Sequence, residues 1–234
     1  YPSAAVMNPR VTLDNEAAGV MAARHLLTLG LRRFAYWHDP HRRYSLERLE
    51  GFRSQLAREG HEIRVMEIPG SHYPDAERAA KTETLAWKLL ATLEAPTGLF
   101  AKDDIAAVCA VRALARLGLR CPEDVPVLGV ADDMVYCNVT RPSLTSVRFP
   151  GREIGSTAMQ LLLDMMRGET VADDTRIRVK PLHLSVREST GLVELPDEVV
   201  TKAIRFIRAN APNRSVGVDE LCRAAGVSLS LIHI

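Results

Sequence analysis

No apolar run in this 234-residue chain approaches the roughly 20 residues that a helical membrane span requires. Aromatic residues make up only 5%, and the four cysteines (Cys109, Cys121, Cys137, Cys222) are scattered with no C-x-x-C pair. That spacing argues against a zinc site and for reduced thiols; Cys109, on a probable buried helix face, then serves as a small hydrophobe. Thirty basic residues against 29 acidic give a net charge of +1. No overall basic field draws the chain to nucleic acid, so any DNA contact has to come from a local element. Phosphate-cradling glycine loops, nucleophile elbows, internal repeats and low-complexity tracts are all missing. What remains is the composition of an ordinary globular protein, 47% apolar and 25% charged, long enough for one or two domains with a real core.

The stretch from Pro96 to Asp133 organises that chain. It reads PTGLFAKDD, then IAAVCAVRALARLGLRCPED, then VPVLGVADD. An apolar strand, Gly98 to Ala101, ends in Asp103-Asp104; a helix follows; a second strand, Val125 to Val130, ends in Asp132-Asp133. Short apolar runs around a helical period make a βαβ unit of a buried parallel sheet. Ligands of open α/β sheets bind off the carboxyl ends of the strands, so both acidic pairs are candidate binding groups. The alternative for each is a helix N-cap. A metal-dependent hydrolase holding Mg²⁺ on paired aspartates is a further reading, but no lysine or nucleophile partner stands beside them in a recognisable motif.

Around this unit the chain alternates strands and helices. Strands are expected over 4–8, 11–13, 33–37 and 63–68. A helix capped by Asp14 runs from Asn15 to Leu29 and stops at Gly30, with His25 at the edge of its packing face. A second helix, capped by Ser45, runs to about Glu59. That start puts Arg48 in the first turn, where the helix dipole disfavours a cation; the arginine either forks onto a ligand or pairs with Glu47 or Glu50. A helix over 75–94 turns Trp87 and Leu90 inward. After Asp133 come a loop with a short helix, an extended segment over 143–147, a helix from Gly151 to Met166, and strands over 177–179 and 183–186. From Pro196 the character changes. Asp197 caps an amphipathic helix, and a short helix from Val218 leads into Ala-Gly-Val-Ser, the turn of a helix-turn-helix whose next helix starts at Ser228.

Several segments carry a specific resemblance. TLDNEAAGVMAARHLLTLGLRRFAYW, ERLEGF, GLFAKDDIAAVCAVRALARLGLRCPEDVPVLGV and RPSLTSVRF stand in the order and spacing of the effector-binding domain of lac-repressor-type regulators. Residues 197–228 resemble the opening of an AraC-type DNA-binding domain, an order similar to that of xylose-operon-type regulators. The resemblance implies an α/β fold of the periplasmic-binding-protein type I kind, mostly one lobe, followed by part of an all-α helix-turn-helix. It divides the chain into a partial effector domain (1–191), a linker (192–196), the start of the DNA-binding domain (197–228) and a tail (229–234) that reads like translated adapter DNA. Both ends are expected to be cuts in a longer gene, leaving a sugar cleft with one wall and the 151–166 helix without its sheet. The implied protein is cytoplasmic, non-enzymatic, free of cofactor and metal, and away from membranes. Its partners are a small, pentose-like sugar, operator DNA and a second copy of itself. A transport-type sugar receptor is the alternative.

The same resemblance assigns a ligand set. Arg48, in R-x-x-G-F, matches the family's sugar-binding arginine, and Asp103 matches the polar residue that contacts sugar hydroxyls. Tyr44 offers an aromatic face, and Asp14 of the TLDN motif is a further candidate; Trp37 and His38 are weaker ones. One position departs. Ala131 stands where the family commonly has an aspartate, so either Asp132 substitutes for it or the ligand lacks the hydroxyl it would meet.

Overall fold

A computed structural model of the chain describes residues 8–70, 76–191, 198–210 and 215–228. Two compact units divide it, Tyr1–Thr190 and Gly191–Ile234. Along the first run β1 (Arg10–Leu13), α1 (Asn15–Thr28), β2 (Phe34–His38), α2 (Arg43–Arg58), β3 (Ile63–Glu67), α3 (Ala76–Leu90), β4 (Gly98–Ala101) and α4 (Asp104–Arg116). They are followed by β5 (Val127–Ala131), α5 (Met134–Asn138), β6 (Thr145–Arg148), α6 (Gly151–Met166), β7 (Arg176–Val179), β8 (Leu184–Ser185) and a 3-10 turn at Glu188–Thr190.

Six strands form one sheet in the order β3-β2-β4-β5-β6-β8, parallel except for β8. β1 and β7 make a separate parallel pair. Every residue of FAYWH in β2 and GLFA in β4 is buried, as expected of strands covered on both faces. Alternation sorts them: Ala35 and Trp37 join Met66, Leu90, Leu99 and Leu114 on one side, while Tyr36, Phe52 and Phe100 stack on the other at centroid distances of 5.1–6.2 Å. β2 and β4 pair in register from Phe34 with Gly98 to Trp37 with Ala101. Their carboxyl ends, His38-Asp39 and Lys102-Asp103, therefore lie side by side.

Two glycines set how closely α1 and α2 cross. A Cβ on Gly19 would overlap the Arg48 carbonyl and the Phe52 amide, and one on Gly51 would overlap the Glu16 backbone. Backbone rests on backbone here, which carries the second turn of α2 to the N-terminus of α1. α2 begins three residues before the start that a Ser45 cap would give, capped at Arg42 without a side-chain bond. Ser45 is thus inside the helix, and Arg48 lies past the first turn, out of reach of the expected dipole penalty. The second strand of the central unit begins at Val127, not Val125, because the Val125 amide closes a turn onto the Arg120 carbonyl and Pro126 has no N–H to donate. Trp87 is 45% exposed, not inward; Ala86 and Leu90 carry the buried face of α3, and the residue after Ala86 is turned about 100° away from it. α6 has the expected bounds and buries none of its residues. Expectations for residues 4–7, 71–75, the 192–196 linker, the Asp197 cap and the 229–234 tail lie outside the described residues.

The far edge of the sheet is tied by one carboxylate. Ala131 and Asp132 pass through positive φ (140° and 57°), and the Asp132 side chain accepts from Arg187 Nη2 (2.6 Å), Ser185 Oγ (2.8 Å) and Arg148 Nη1 (3.0 Å). Burial pushes its carboxyl up, but the bonds from Ser185 and Arg187 and the charges of Arg187 and Arg148 outweigh that and hold it below the usual carboxylate range. The 3-10 turn is bolted to the same edge. Ser189 Oγ donates to the Val127 carbonyl (2.6 Å) and accepts from the Thr145 amide (2.8 Å), while Thr190 Oγ1 meets Thr145 Oγ1 (2.8 Å) and His25 Nε2 (2.7 Å).

In the second unit α7 (Glu198–Asn210) packs on α8 (Val218–Ala225), with Cys222 and Ala225 buried. α8 closes at Gly226, which is left-handed (φ 74°) and bonds back to the Cys222 and Arg223 carbonyls.

Gly51→Ala is expected to destabilise the fold by about 1–3 kcal/mol in urea unfolding, since neither backbone can yield. Gly155→Ala on α6, where a Cβ meets nothing within 4 Å, is expected to stabilise it by about 0.5–1 kcal/mol. Asp132→Asn is expected to cost about 3 kcal/mol at pH 7. A depressed carboxyl contributes above its unfolded pKa, about 3.9, and that contribution disappears as pH falls through the lower folded value. The gap between variant and parent should therefore narrow below about pH 4; a gap that stays constant there would show that the ionised form is not what stabilises the edge.

Candidate functional site

Residues at the carboxyl ends of β2 and β4 meet the first half of α2 in one hydrogen-bonded group. Lys102 leaves β4 with its side chain 0% exposed. Its Nζ lies 2.5 Å from Asp103 Oδ2, donates to Tyr44 Oη at 3.1 Å and stands 3.9 Å from Asp39 Oδ2. The Tyr44 hydroxyl donates to the same Asp103 Oδ2 at 3.1 Å. Burial, then the Asp103 charge, push the Tyr44 phenol up, which keeps its proton in place. Asp103 Oδ1 accepts from the Ala106 amide at 2.8 Å. The cap reading of Asp103 is realised through Oδ1, while Oδ2 joins Tyr44 and Lys102.

Arg48, only 8% exposed, donates from Nε to Asn15 Oδ1 at 3.0 Å and from Nη1 to the Lys102 carbonyl. Asn15 in turn donates to Glu47 Oε2 at 2.9 Å. The guanidinium carbon lies 4.7 Å from the Tyr44 ring centroid, and Lys102 Nζ 5.5 Å from it, both within cation–π range. Burial lowers the Arg48 pKa from its ordinary value, while nearby Tyr36 and Asp103 oppose the shift.

The Asp39 loop is pinned beneath. Asp39 accepts from the His41 amide on Oδ1 and the Gly70 amide on Oδ2, each at 3.1 Å. Ser45 Oγ accepts from the Asp39 amide at 3.0 Å and lies 3.0 Å from His38 Nδ1; its carbonyl receives the Tyr36 hydroxyl at 2.9 Å. Ser45 thus knots the β2–α2 loop instead of capping the helix. Burial lowers the His38 pKa and favours its neutral ring.

Of the residues read from sequence, the structure brings Tyr44, Arg48 and Asp103 together. Asp14 and Asp132 are engaged elsewhere. Asp14 caps α1 through the Ala17 amide at 2.9 Å and lines a different cleft of about 440 Å³ with Glu16, Glu50, Arg58 and Arg178. Asp132, expected as a substitute for the missing acid at Ala131, has its carboxylate taken by two arginines and a serine. Asp104 is also internal: Ser146 Oγ donates to it at 2.5 Å and the Asp133 amide at 3.0 Å, and burial raises its pKa. Trp37 is fully buried, with its indole N–H on the Ile68 carbonyl at 3.3 Å. Ser228 lies exposed two residues beyond the Gly226 cap.

Lys102, Asn15 and Asp39 were not singled out by sequence. Lys102 had a signal: a lysine directly after an all-apolar strand and before two acids has to be paired if it is buried. The assembled wall offers a guanidinium, a carboxylate and an aromatic face, a set suited to a polar ligand with hydroxyls and an apolar face. Among the described residues no group of three or more His, Cys, Asp or Glu is placed to hold a metal ion, and no helix is long and apolar enough to cross a membrane.

The chain is 30% identical over 210 residues to the xylose operon regulatory protein of Haemophilus influenzae, covering 88% of this chain and 53% of that protein. Among solved structures, the xylose-binding transcription activator xylR superposes with a TM-score of 0.74 at 28% identity, covering 96% of this chain and 58% of that one. The complex of the regulator CelR with cellobiose gives 0.63 at 28% identity, covering 79% and 54%. The chain thus spans about half the length of these relatives. Residues 23–190 match the family model described as a periplasmic binding protein-like domain, so the chain belongs to the periplasmic-binding-protein-like family.

Proposed function

We propose that this chain is part of a sugar-responsive transcriptional regulator. Its first unit takes a small sugar on the wall formed by Arg48, Tyr44, Asp103 and Lys102. The observation that carries this reading is the convergence of a buried guanidinium, a carboxylate and a tyrosine ring at adjacent strand ends. The second unit belongs to an AraC-type helix-turn-helix domain. Its α8, left-handed Gly226 and exposed Ser228 have the order of the first helix, turn and next cap of that motif. The match to the xylose-binding activator covers 96% of the chain and so runs through this unit, whereas the cellobiose-complex match covers 79%. A transport receptor has no use for such a unit, and the relatives named above are regulators.

In the intact protein, closing of two lobes on the sugar shifts the population between two arrangements of a cytoplasmic dimer on its operator. The xylose-binding activator among the similar structures suggests a pentose-like sugar, though the departure at Ala131 counts against xylose itself. Ala131 offers no acceptor, and the neighbouring Asp132 carboxylate is held by Arg148, Arg187 and Ser185; a ligand without a hydroxyl at that place fits better than one that needs it.

A D-xylose titration of the ¹⁵N-labelled intact protein, with both lobes present, followed by amide shifts, tests the reading. Shifts are expected to centre on Tyr44, Arg48 and Asp103. Arg48→Ala is expected to weaken binding by about tenfold or more, since a charge-assisted bond contributes about 1.5–3 kcal/mol, with distant amides unmoved. Unchanged affinity in that variant would sink the site assignment. If neither D-xylose nor other neutral aldoses shift any amide of this wall, the functional reading fails.

A further inference from the structure

We propose that Lys102 is a positioning residue: its buried ammonium holds Asp103 and Tyr44 in the geometry that meets the ligand, rather than merely balancing buried charge. The proposal rests on the sugar-site reading above. Its basis is how Lys102 Nζ divides its contacts. Toward Asp39 it stands 3.9 Å away, beyond hydrogen-bond reach. Asp39 does not need it for hydrogen bonding, because the His41 and Gly70 amides already serve its two oxygens. Toward Asp103 and Tyr44 it makes directed bonds of 2.5 and 3.1 Å.

Those two bonds complete a triangle. Tyr44 Oη donates to Asp103 Oδ2 and accepts from Lys102, and Lys102 donates to that same Oδ2. The Asp103 carboxylate is fixed at its other end by the cap on the Ala106 amide, so its plane is set from both sides. The Tyr44 ring is held by its hydroxyl at one end and lies within cation–π range of Arg48. The Lys102 backbone carbonyl receives Arg48 Nη1, a contact that replacing the side chain leaves in place. Without the ammonium, Asp103 keeps its cap and Tyr44 its bond to Asp103, but the triangle that braces them loses two of its three sides. A ligand would then have to order them on binding, which weakens affinity.

The test compares the parent with Lys102→Met and with the double variant Lys102→Met/Asp39→Asn. Lys102→Met leaves buried carboxylates uncompensated and is liable to unfold; the double variant removes one cation and one carboxylate together, so the buried charge stays balanced. Two readouts are taken at low temperature, the first on the 234-residue chain and the second on the intact two-lobed protein with the same substitutions. One is the slowly exchanging Tyr44 hydroxyl proton in the ¹H spectrum, assigned by its loss in Tyr44→Phe. The other is D-xylose affinity from amide shifts. Positioning predicts that the double variant folds, exchanges the Tyr44 hydroxyl proton faster than the parent does, because the bond to Asp103 is no longer braced, and binds D-xylose about tenfold or more weakly, the scale of ordering immobilised side chains. Charge balance alone predicts that it keeps the parent's exchange rate and affinity, and either one unchanged overturns the proposal. If the parent binds no neutral sugar, the functional reading fails, and the hydroxyl exchange rate alone decides the role of Lys102.

Discussion

Where α1 crosses α2 there is no room for a side chain. Gly19 faces the Arg48 carbonyl and the Phe52 amide, and Gly51 faces the Glu16 backbone. The candidate wall depends on that contact. Arg48 reaches Asn15 at 3.0 Å because the two helices touch backbone to backbone, and Asn15 sits at the first turn of α1 because Asp14 caps it. A crossing wider by the breadth of one methyl group would draw the guanidinium away from both Asn15 and the Lys102 carbonyl. The polar site is thus positioned by a packing constraint made of the smallest residues in the chain.

Beneath it lies an uncommon arrangement for a buried parallel sheet, a lysine with no exposure at the end of a wholly apolar strand. Burying an ion pair generally gains little stability over apolar packing, because desolvation offsets the attraction. What it does supply is direction. The bonds of Lys102 run to two specified oxygens, and removing either partner leaves a charge or a hydroxyl stranded. The Asp132 knot has the same character at the opposite edge, where Arg148, Arg187 and Ser185 converge on one carboxylate. Asp104, bonded to Ser146 and the Asp133 amide, lies between the two. A band of directed polar contacts therefore crosses the carboxyl ends of β4, β5 and β6, while the hydrophobic sides of the sheet carry the burial energy.

Element order was legible because its signals are local. Apolar runs bounded by acids gave β4 and β5, and the caps at Asp14, Asp103 and Asp133 follow from short acceptors placed before helical periods. Arg48 and Asp103 stood out by their local settings, and the resemblance added Tyr44 and a ligand for all three. What escaped was non-local. Ser45 looks like a cap by sequence, yet its hydroxyl is claimed by the Asp39 amide across a loop, and α2 starts without it. Trp87 looked inward on size, but Ala86 is the residue that lets α3 approach the sheet. Asp132 looked like a spare acid, and only the pairing of β8 to β6 brings Ser185 and Arg187 to it. No pattern along the chain records that Arg148, Ser185 and Arg187, which lie 16, 53 and 55 positions beyond Asp132, share its carboxylate.

The 3-10 turn at Glu188–Thr190 gives the first unit a rigid exit. Ser189 is clamped between the Val127 carbonyl and the Thr145 amide, and Thr190 between Thr145 and His25. Thr190 is therefore a fixed post at the edge of the sheet. Mechanically, any tilt of the strand ends displaces that post by the same rotation, with no loop in between to absorb it.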